Sequence, residues 1–359
     1  MIRAIPTLLV LMTTLATLSA APRPDPTARL EALLKPFDRD DAPGLSVLVL
    51  RAGKPLFARG YGLADLETRV PCSTNTNFRL ASVSKQFTAM AILMLVERNQ
   101  LALDETLTDI FPEFPAYGRA ITVRQLLTHT SGLMDYEDKV SAGTALPVLD
   151  QDVLRILMRQ EGTYFPPGTQ YHYSNSGYAL LALIVEQRSG QTFAHFLERH
   201  IFAPLKMTGT LAYEEGLRAV PHRAFGHSSA AGGFMRTDQS LTSSVLGDGG
   251  IYSSVVDLAK WDAALYTSRL VSRKMLQQAF TPAVVTNKPE RSYGFGWYLG
   301  EYRGLRAIWH SGETRGFRTR LSRFPEKRFT VILLANRSDI VLEGLSLRIV
   351  DLALFSDAE

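Results

Sequence analysis

The sequence predicts an α/β sheet joined to an all-α part, and three observations carry that expectation. Strand-like runs lie towards both ends of the chain, helical patterns fill its middle, and no repeat, low-complexity segment or charge run divides its 359 residues. Such an order folds most simply as one antiparallel sheet built from both ends, flanked by helices, with a mostly helical domain inserted. The sheet is expected from residues 28–80 and 285–359, and the helical part from residues 81–284.

At the start, Arg3 precedes an apolar run over residues 5–18, which the small residues Ser19-Ala20-Ala21 close. That order is a secretory signal. The run is short for a bilayer span, and Pro22, Pro24 and Pro26 cannot extend it as a helix. Residues 1–20 are therefore expected to be cleaved, leaving residues 21–359 periplasmic or secreted, without a stable membrane anchor. Cys72 is the only cysteine, so no internal disulfide forms, and stability must come from a core that the 46% hydrophobic composition can supply.

Residues 44–50 are an aliphatic, β-branched run, and after Ala52-Gly53-Lys54 comes a second strand over 55–61, so the pair reads as a hairpin. Residues 305–310, 319–324 and 330–335 read as three more strands, with Pro325-Glu326-Lys327 turning between the last two. The apolar periodicity of 341–354 predicts a helix on that sheet. Helices are expected in between over 82–97, 122–127, 151–158 and 177–187.

The net charge of +4 is dispersed among acidic and basic residues, which argues against a nucleic-acid partner. Among seven histidines no pair has the helical spacing of a ligand pair, and one cysteine makes no thiolate cluster, so no metal site is expected. His195 and His200 read as surface or packing residues, and Cys72 as inert. Gly226-His227-Ser228-Ser229-Ala230 approaches a nucleophile elbow, but neither a strand-like run precedes it nor an apolar helix follows.

The chemistry concentrates in Arg79-Leu80-Ala81-Ser82-Val83-Ser84-Lys85-Gln86-Phe87. A helix starting here puts Ser82 and Lys85 three residues apart on one face. Its first turn offers free backbone N–H groups and a positive dipole end beside a nucleophile that must stabilise an oxyanion. A neutral lysine amine can take the serine proton where the site lowers its pKa. Alone, the pair is equally a serine N-cap with a solvated lysine.

Two later segments bear on that choice. Tyr171-His172-Tyr173-Ser174-Asn175 follows the turn at Pro166-Pro167-Gly168 just before a helix, and Trp309-His310-Ser311-Gly312 ends an edge-like strand. With S-x-x-K, Y-x-N and H-x-G in that order, the chain resembles the serine β-lactamase and penicillin-binding protein superfamily, in its class C-like branch. Ile121-Thr122-Val123-Arg124-Gln125 through Gly132-Leu133, Gly249-Gly250-Ile251-Tyr252-Ser253-Ser254 and Tyr293-Gly294-Phe295-Gly296-Trp297 extend the similarity and read as architecture. Thr122 with Gln125, and Ser254 with Asp257, are expected to form capping boxes.

The resemblance implies a β-lactamase/transpeptidase-like fold and a cofactor-free serine hydrolase. Ser82 would form an acyl-enzyme, Lys85 would activate it, and Tyr173 would act as general base or proton shuttle. Asn175 would bind Lys85 or the substrate amide. His310, Ser311 and Gly312 would line the substrate, and the N–H groups of Ser82 and Glu313 would form the oxyanion hole. The substrate would be a D-amino-acid peptide, with peptidoglycan as one source, a β-lactam or a small ester. A penicillin-binding receptor or sensor that is acylated but barely turns over is the alternative. The sequence departs from the best-known antibiotic hydrolases at His310, where they carry lysine. A histidine offers weaker, pH-dependent attraction for a substrate carboxylate, which Arg315 and Arg318 could supply instead.

Overall fold

A computed structural model describes residues 26–141, 143–287 and 292–355, so the signal segment, with Pro22 and Pro24, lies outside the described residues. Among the described residues no helix is long and apolar enough to cross a membrane.

Strand β1 (Leu45–Arg51) is buried on both faces, which is why it reads as an unbroken aliphatic run. It turns through Ala52 and Gly53, both at positive φ, into β2 (Lys54–Tyr61). β2 forms one edge of the sheet and so tolerates Pro55. The far end of the chain supplies β3 (Ser292–Tyr293), β4 (Tyr298–Tyr302), β5 (Leu305–Thr314), β6 (Phe317–Phe324) and β7 (Phe329–Ala335). The order is β3-β4-β5-β6-β7-β1-β2, antiparallel throughout. The two chain ends meet between β1 and β7, in a register that sets Leu45 opposite Ala335 and Arg51 opposite Phe329. This is the expected sheet built from both ends.

Alternation along β1 assigns its two faces. Val47 and Val49 pack with Val331 and Leu333 against helices α1 (Thr27–Leu34) and α5 (Leu342–Val350), through Leu30, Leu34 and Ile349. Leu48 and Leu50 face the other way, into the core shared with the helical part. Each such side chain contributes about 1.5–3 kcal/mol on full burial. The centre of the helical part is α2 (Lys85–Glu97), buried from Lys85 through Leu95, beside α3 (Asn175–Ser189). Helix α4 (Val255–Ala264) is tied to the sheet by a buried ion pair, Arg323 Nε to Asp262 Oδ1 at 2.6 Å, and Thr330 Oγ1 donates to the same oxygen at 3.0 Å.

Three expectations need correction. His310-Ser311-Gly312 does not end an edge strand: β5 runs on to Thr314 between β4 and β6. Pairing with β4 stops at Trp309 opposite Tyr298, however, so residues 310–314 are paired through β6 alone. Thr122 and Gln125 do form a reciprocal box, but Ser254 makes only half of one, accepting from the Asp257 N–H. The Asp257 carboxylate instead accepts from the Gly209 N–H and Thr210 Oγ1 and pairs with Lys260. The last helix ends at Val350 and continues as a wider π turn over Asp351–Phe355. Ser228, for its part, is no nucleophile elbow, as the sequence indicated: it lies in a hairpin strand, His227–Ala230.

Candidate active site

Ser82 stands where the short strand Phe78–Arg79 gives way to α2 through a tight turn, Ala81–Ser84. Ala81 holds φ +48°, a left-handed conformation that costs energy for any residue with a Cβ. The surrounding contacts impose it. Thr319 Oγ1 donates to the Leu80 carbonyl at 2.6 Å, and β5 presses Gly312 onto the same carbonyl. A Cβ at 312 would sit 2.1 Å from Leu80 O and 2.3 Å from Thr319 Oγ1, so the third motif meets the first through a contact that only glycine allows.

Lys85 is fully buried. Its Nζ lies 3.1 Å from Ser82 Oγ, 2.8 Å from Asn175 Oδ1 and 2.8 Å from the Asp248 carbonyl oxygen, which occupies all three positions around the nitrogen. The rings of Tyr173 and Tyr178 flank it at 5.0 and 5.5 Å. Burial pushes the amine below the ordinary lysine range, opposed in part by Asp248, Asp135 and Glu137. Neutral, it would donate to Asn175 and Asp248 and turn its lone pair to the Ser82 hydroxyl. This arrangement excludes a solvated lysine.

Tyr173 lies beside Ser82 in the cleft, and burial pushes the phenol well above its ordinary value. The site therefore favours the neutral phenol, which suits a proton relay better than a phenolate base. Asn175, the first residue of α3, is fixed by donation of its backbone N–H to Asp135 Oδ2 at 2.8 Å.

His310 is buried and lines the cleft, with both ring nitrogens engaged. Nδ1 lies 2.7 Å from the Ser311 carbonyl, which can only accept, so Nδ1 carries the proton. Nε2 then accepts from the Tyr293 hydroxyl at 2.8 Å. Burial, with Lys85 nearby, pushes the imidazole down to about 3, so the ring carries no positive charge for a carboxylate near pH 7. Arg318 donates to the Thr314 and Phe317 carbonyls at 3.0 and 2.9 Å and faces Glu313 at 3.7 Å. Arg315 is exposed.

The fold thus brings Ser82, Lys85, Tyr173, Asn175, His310, Ser311, Gly312 and Glu313 together. All but Lys85 line a cleft of about 620 Å³, closed on its far side by residues 338–343. Several neighbours had no motif to mark them in the sequence. Arg320 donates to Ser311 Oγ at 2.9 Å, Tyr298 stacks on Trp309 with centroids 5.8 Å apart, and Tyr136 donates to Asp248 Oδ2 at 3.0 Å. Tyr293 lay in a segment read only as architecture. Among the described residues no group of three or more His, Cys, Asp or Glu side chains is placed to hold a metal. Cys72 is buried, which pushes its thiol up and away from reactivity, while His195 is exposed and His200 half-buried.

Comparison with known proteins places this geometry. The family model described as Beta-lactamase matches residues 30–352. Penicillin-binding protein 4* of Bacillus subtilis (strain 168) is 34% identical over 313 residues, covering 82% of this chain and 68% of its own. A D-aminopeptidase of Brucella anthropi is 30% identical over 318 residues, covering 86% of this chain, and the chain spans 59% of that relative's length. Among solved structures, the D-amino acid amidase from Ochrobactrum anthropi SV3 complexed with L-phenylalanine amide superposes with a TM-score of 0.80 at 25% identity, over 93% of this chain and 100% of that one. The octameric penicillin-binding protein homologue from Pyrococcus abyssi gives 0.79 at 26% identity, over 92% and 77%.

Proposed function

The chain belongs to the β-lactamase family, and on that premise we propose that it is an exported serine hydrolase that cleaves amides through an acyl-enzyme at Ser82. The observation that carries the reading is the buried Lys85 amine, held 3.1 Å from Ser82 Oγ and pushed towards its neutral form. In this mechanism Lys85 takes the Ser82 proton as the oxygen attacks the substrate carbonyl. The backbone N–H groups of Ser82 and Glu313 receive the developing oxyanion. Tyr173, beside Ser82, gives its phenol proton to the leaving amine and is reprotonated by the Lys85 ammonium; water then attacks the acyl group, which leaves as the acid while Ser82 regains a proton.

The preferred substrate is a D-amino-acid peptide or amide, ahead of β-lactams and small esters. Two observations support that order. At His310 the cleft presents a neutral imidazole in place of the lysine cation that would draw a carboxylate. The arginines at and beside the cleft walls, Arg318, Arg337 and Arg320, are each paired with a carboxylate, Glu313, Asp339 and Glu343, and so are held by the protein rather than aimed at a substrate carboxylate. The names of the relatives agree with an amide of a D-amino acid. D-phenylalanine amide, a D-alanyl-D-alanine peptide, benzylpenicillin and p-nitrophenyl acetate compared at one concentration test the reading, with Ser82→Ala as control. Ser82-dependent release of ammonia from the D-amide, faster than penicillin loss, is expected. Faster penicillin hydrolysis would reverse the ranking, and equal rates in Ser82→Ala would remove the nucleophile.

A further inference from the structure

Three consecutive residues outside the three motifs contact the two residues, Asn175 and Asp248, whose oxygens hold Lys85. Lys85 Nζ is held by Asn175 Oδ1 on α3 and by the carbonyl of Asp248 in the turn Leu246–Gly249. Asp135 Oδ2 accepts the backbone N–H of Asn175 at 2.8 Å, and Glu137 lines a small cleft together with Asn175 and Asp248. Between them Tyr136, fully buried, donates its hydroxyl to Asp248 Oδ2 at 3.0 Å. The segment is pinned in turn. The Tyr136 N–H donates to Ser176 Oγ at 2.9 Å, and that hydroxyl donates to the Met134 carbonyl at 2.7 Å.

We propose that Asp135-Tyr136-Glu137 is a positioning clamp that seats both oxygen partners of Lys85 and thereby aims the amine at Ser82 and sets its proton affinity. The inference rests on the proposed role of Lys85. Asp135 fixes Asn175 through its backbone N–H, and Glu137 stands beside that residue in the cleft. Tyr136 supplies a buried carboxylate with a donor, without which Asp248 would protonate more readily and present less negative charge to the amine.

The other groups facing Lys85 are His129, packed 4.2 Å from the Tyr173 ring, His310 from β5, Tyr173, and Tyr178 from α3. The two imidazoles are buried and pushed down, and the phenols are pushed up, so all four stay neutral across the range in which Lys85 titrates. Arg79 faces Asp248 but is occupied by Gln239 and the Gly249 and Ser243 carbonyls. Asp135, Glu137 and Asp248 are therefore the charges that can move the lysine.

Two variants test the clamp. Lys85 is followed by NMR in protein carrying 13C at lysine Cε, its resonance assigned by loss in Lys85→Arg. Tyr136→Phe is expected to lower the Lys85 titration midpoint by about half a unit or more, and to add no shift on an Asp248→Asn background. Glu137→Leu is expected to lower kcat on p-nitrophenyl acetate about tenfold with KM little changed, and Glu137→Gln, which keeps an acceptor oxygen, to restore it. An unmoved midpoint in Tyr136→Phe overturns the proposal, as does wild-type kcat in Glu137→Leu. The titration reads the clamp whether or not the protein turns over. If wild-type Ser82 takes no acyl group, the proposed function fails by itself.

Discussion

Lys85 Nζ lies 3.1 Å from Ser82 Oγ inside a fully buried pocket, with Asn175 and Asp248 holding the amine from its other sides. The pair combines reach with desolvation. Reach alone would leave a protonated lysine near pH 7, and desolvation alone would leave a neutral amine pointing nowhere useful.

That pairing sets the pH dependence of acylation. Burial lowers the proton affinity of Lys85, so its free base accumulates as pH rises through a midpoint below the ordinary lysine value of about 10.4. The rate of Ser82 acylation by an activated ester should rise with pH through that midpoint and level off above it. Lys85→Ala should lower the plateau at least about a hundredfold. A rate that falls with rising pH, or a near-normal rate in Lys85→Ala, would remove the lysine as base.

His310 should not titrate in the physiological range. Its imidazole is pushed down to about 3 and bonded at both nitrogens, so kcat/KM should show no limb near pH 6.5 that His310→Gln abolishes. Tyr293→Phe strips Nε2 of its donor and should cost about 1–3 kcal/mol in urea unfolding. A His310-dependent limb near neutrality would show that the ring is open to water and can serve as the pH-dependent cation first expected of it.

Gly312→Ala tests the contact between β5 and the turn carrying the nucleophile. The new methyl would stand 2.1 Å from a backbone oxygen, which cannot swing aside as a side chain can. A destabilisation of about 1–3 kcal/mol is expected, with Ser82 labelling lost in the molecules that remain folded. Normal labelling at wild-type stability would show that β5 does not constrain Ser82.

The Arg323–Asp262 pair is a structural target, and neither side chain lines the cleft. Both side chains are almost wholly buried, so Asp262→Ala leaves a guanidinium without its counter-charge and should cost about 3–5 kcal/mol in urea unfolding. Turnover per folded molecule should be unchanged. A shift in turnover without loss of stability would connect α4 to the site.

Much of this was legible in the sequence because local rules and tertiary structure agree there. The aliphatic run at residues 44–50 becomes a central strand, the Thr122–Gln125 box starts a helix, and Ser82, Lys85, Tyr173, Asn175 and His310 converge as the order of motifs implied. What stayed hidden depends on contacts between residues far apart in the chain. Nothing in Ser254 and Asp257 reveals that the carboxylate leaves its cap for Gly209 and Thr210. Likewise, His310 looks like a polar residue at a strand end until Tyr293 and Ser311 close on it. Tyr136 has no periodicity or motif to single it out, and its importance comes from Asp248, 112 residues away.

The most direct measurement is the intact mass of the protein mixed with p-nitrophenyl acetate and quenched in acid within the first turnovers, followed by peptide mapping beside Ser82→Ala. An acyl increment is expected on the peptide containing Ser82, decaying as substrate is consumed and missing from the variant. An increment mapped to another residue, or turnover that continues undiminished in Ser82→Ala, would contradict an acyl-enzyme at Ser82.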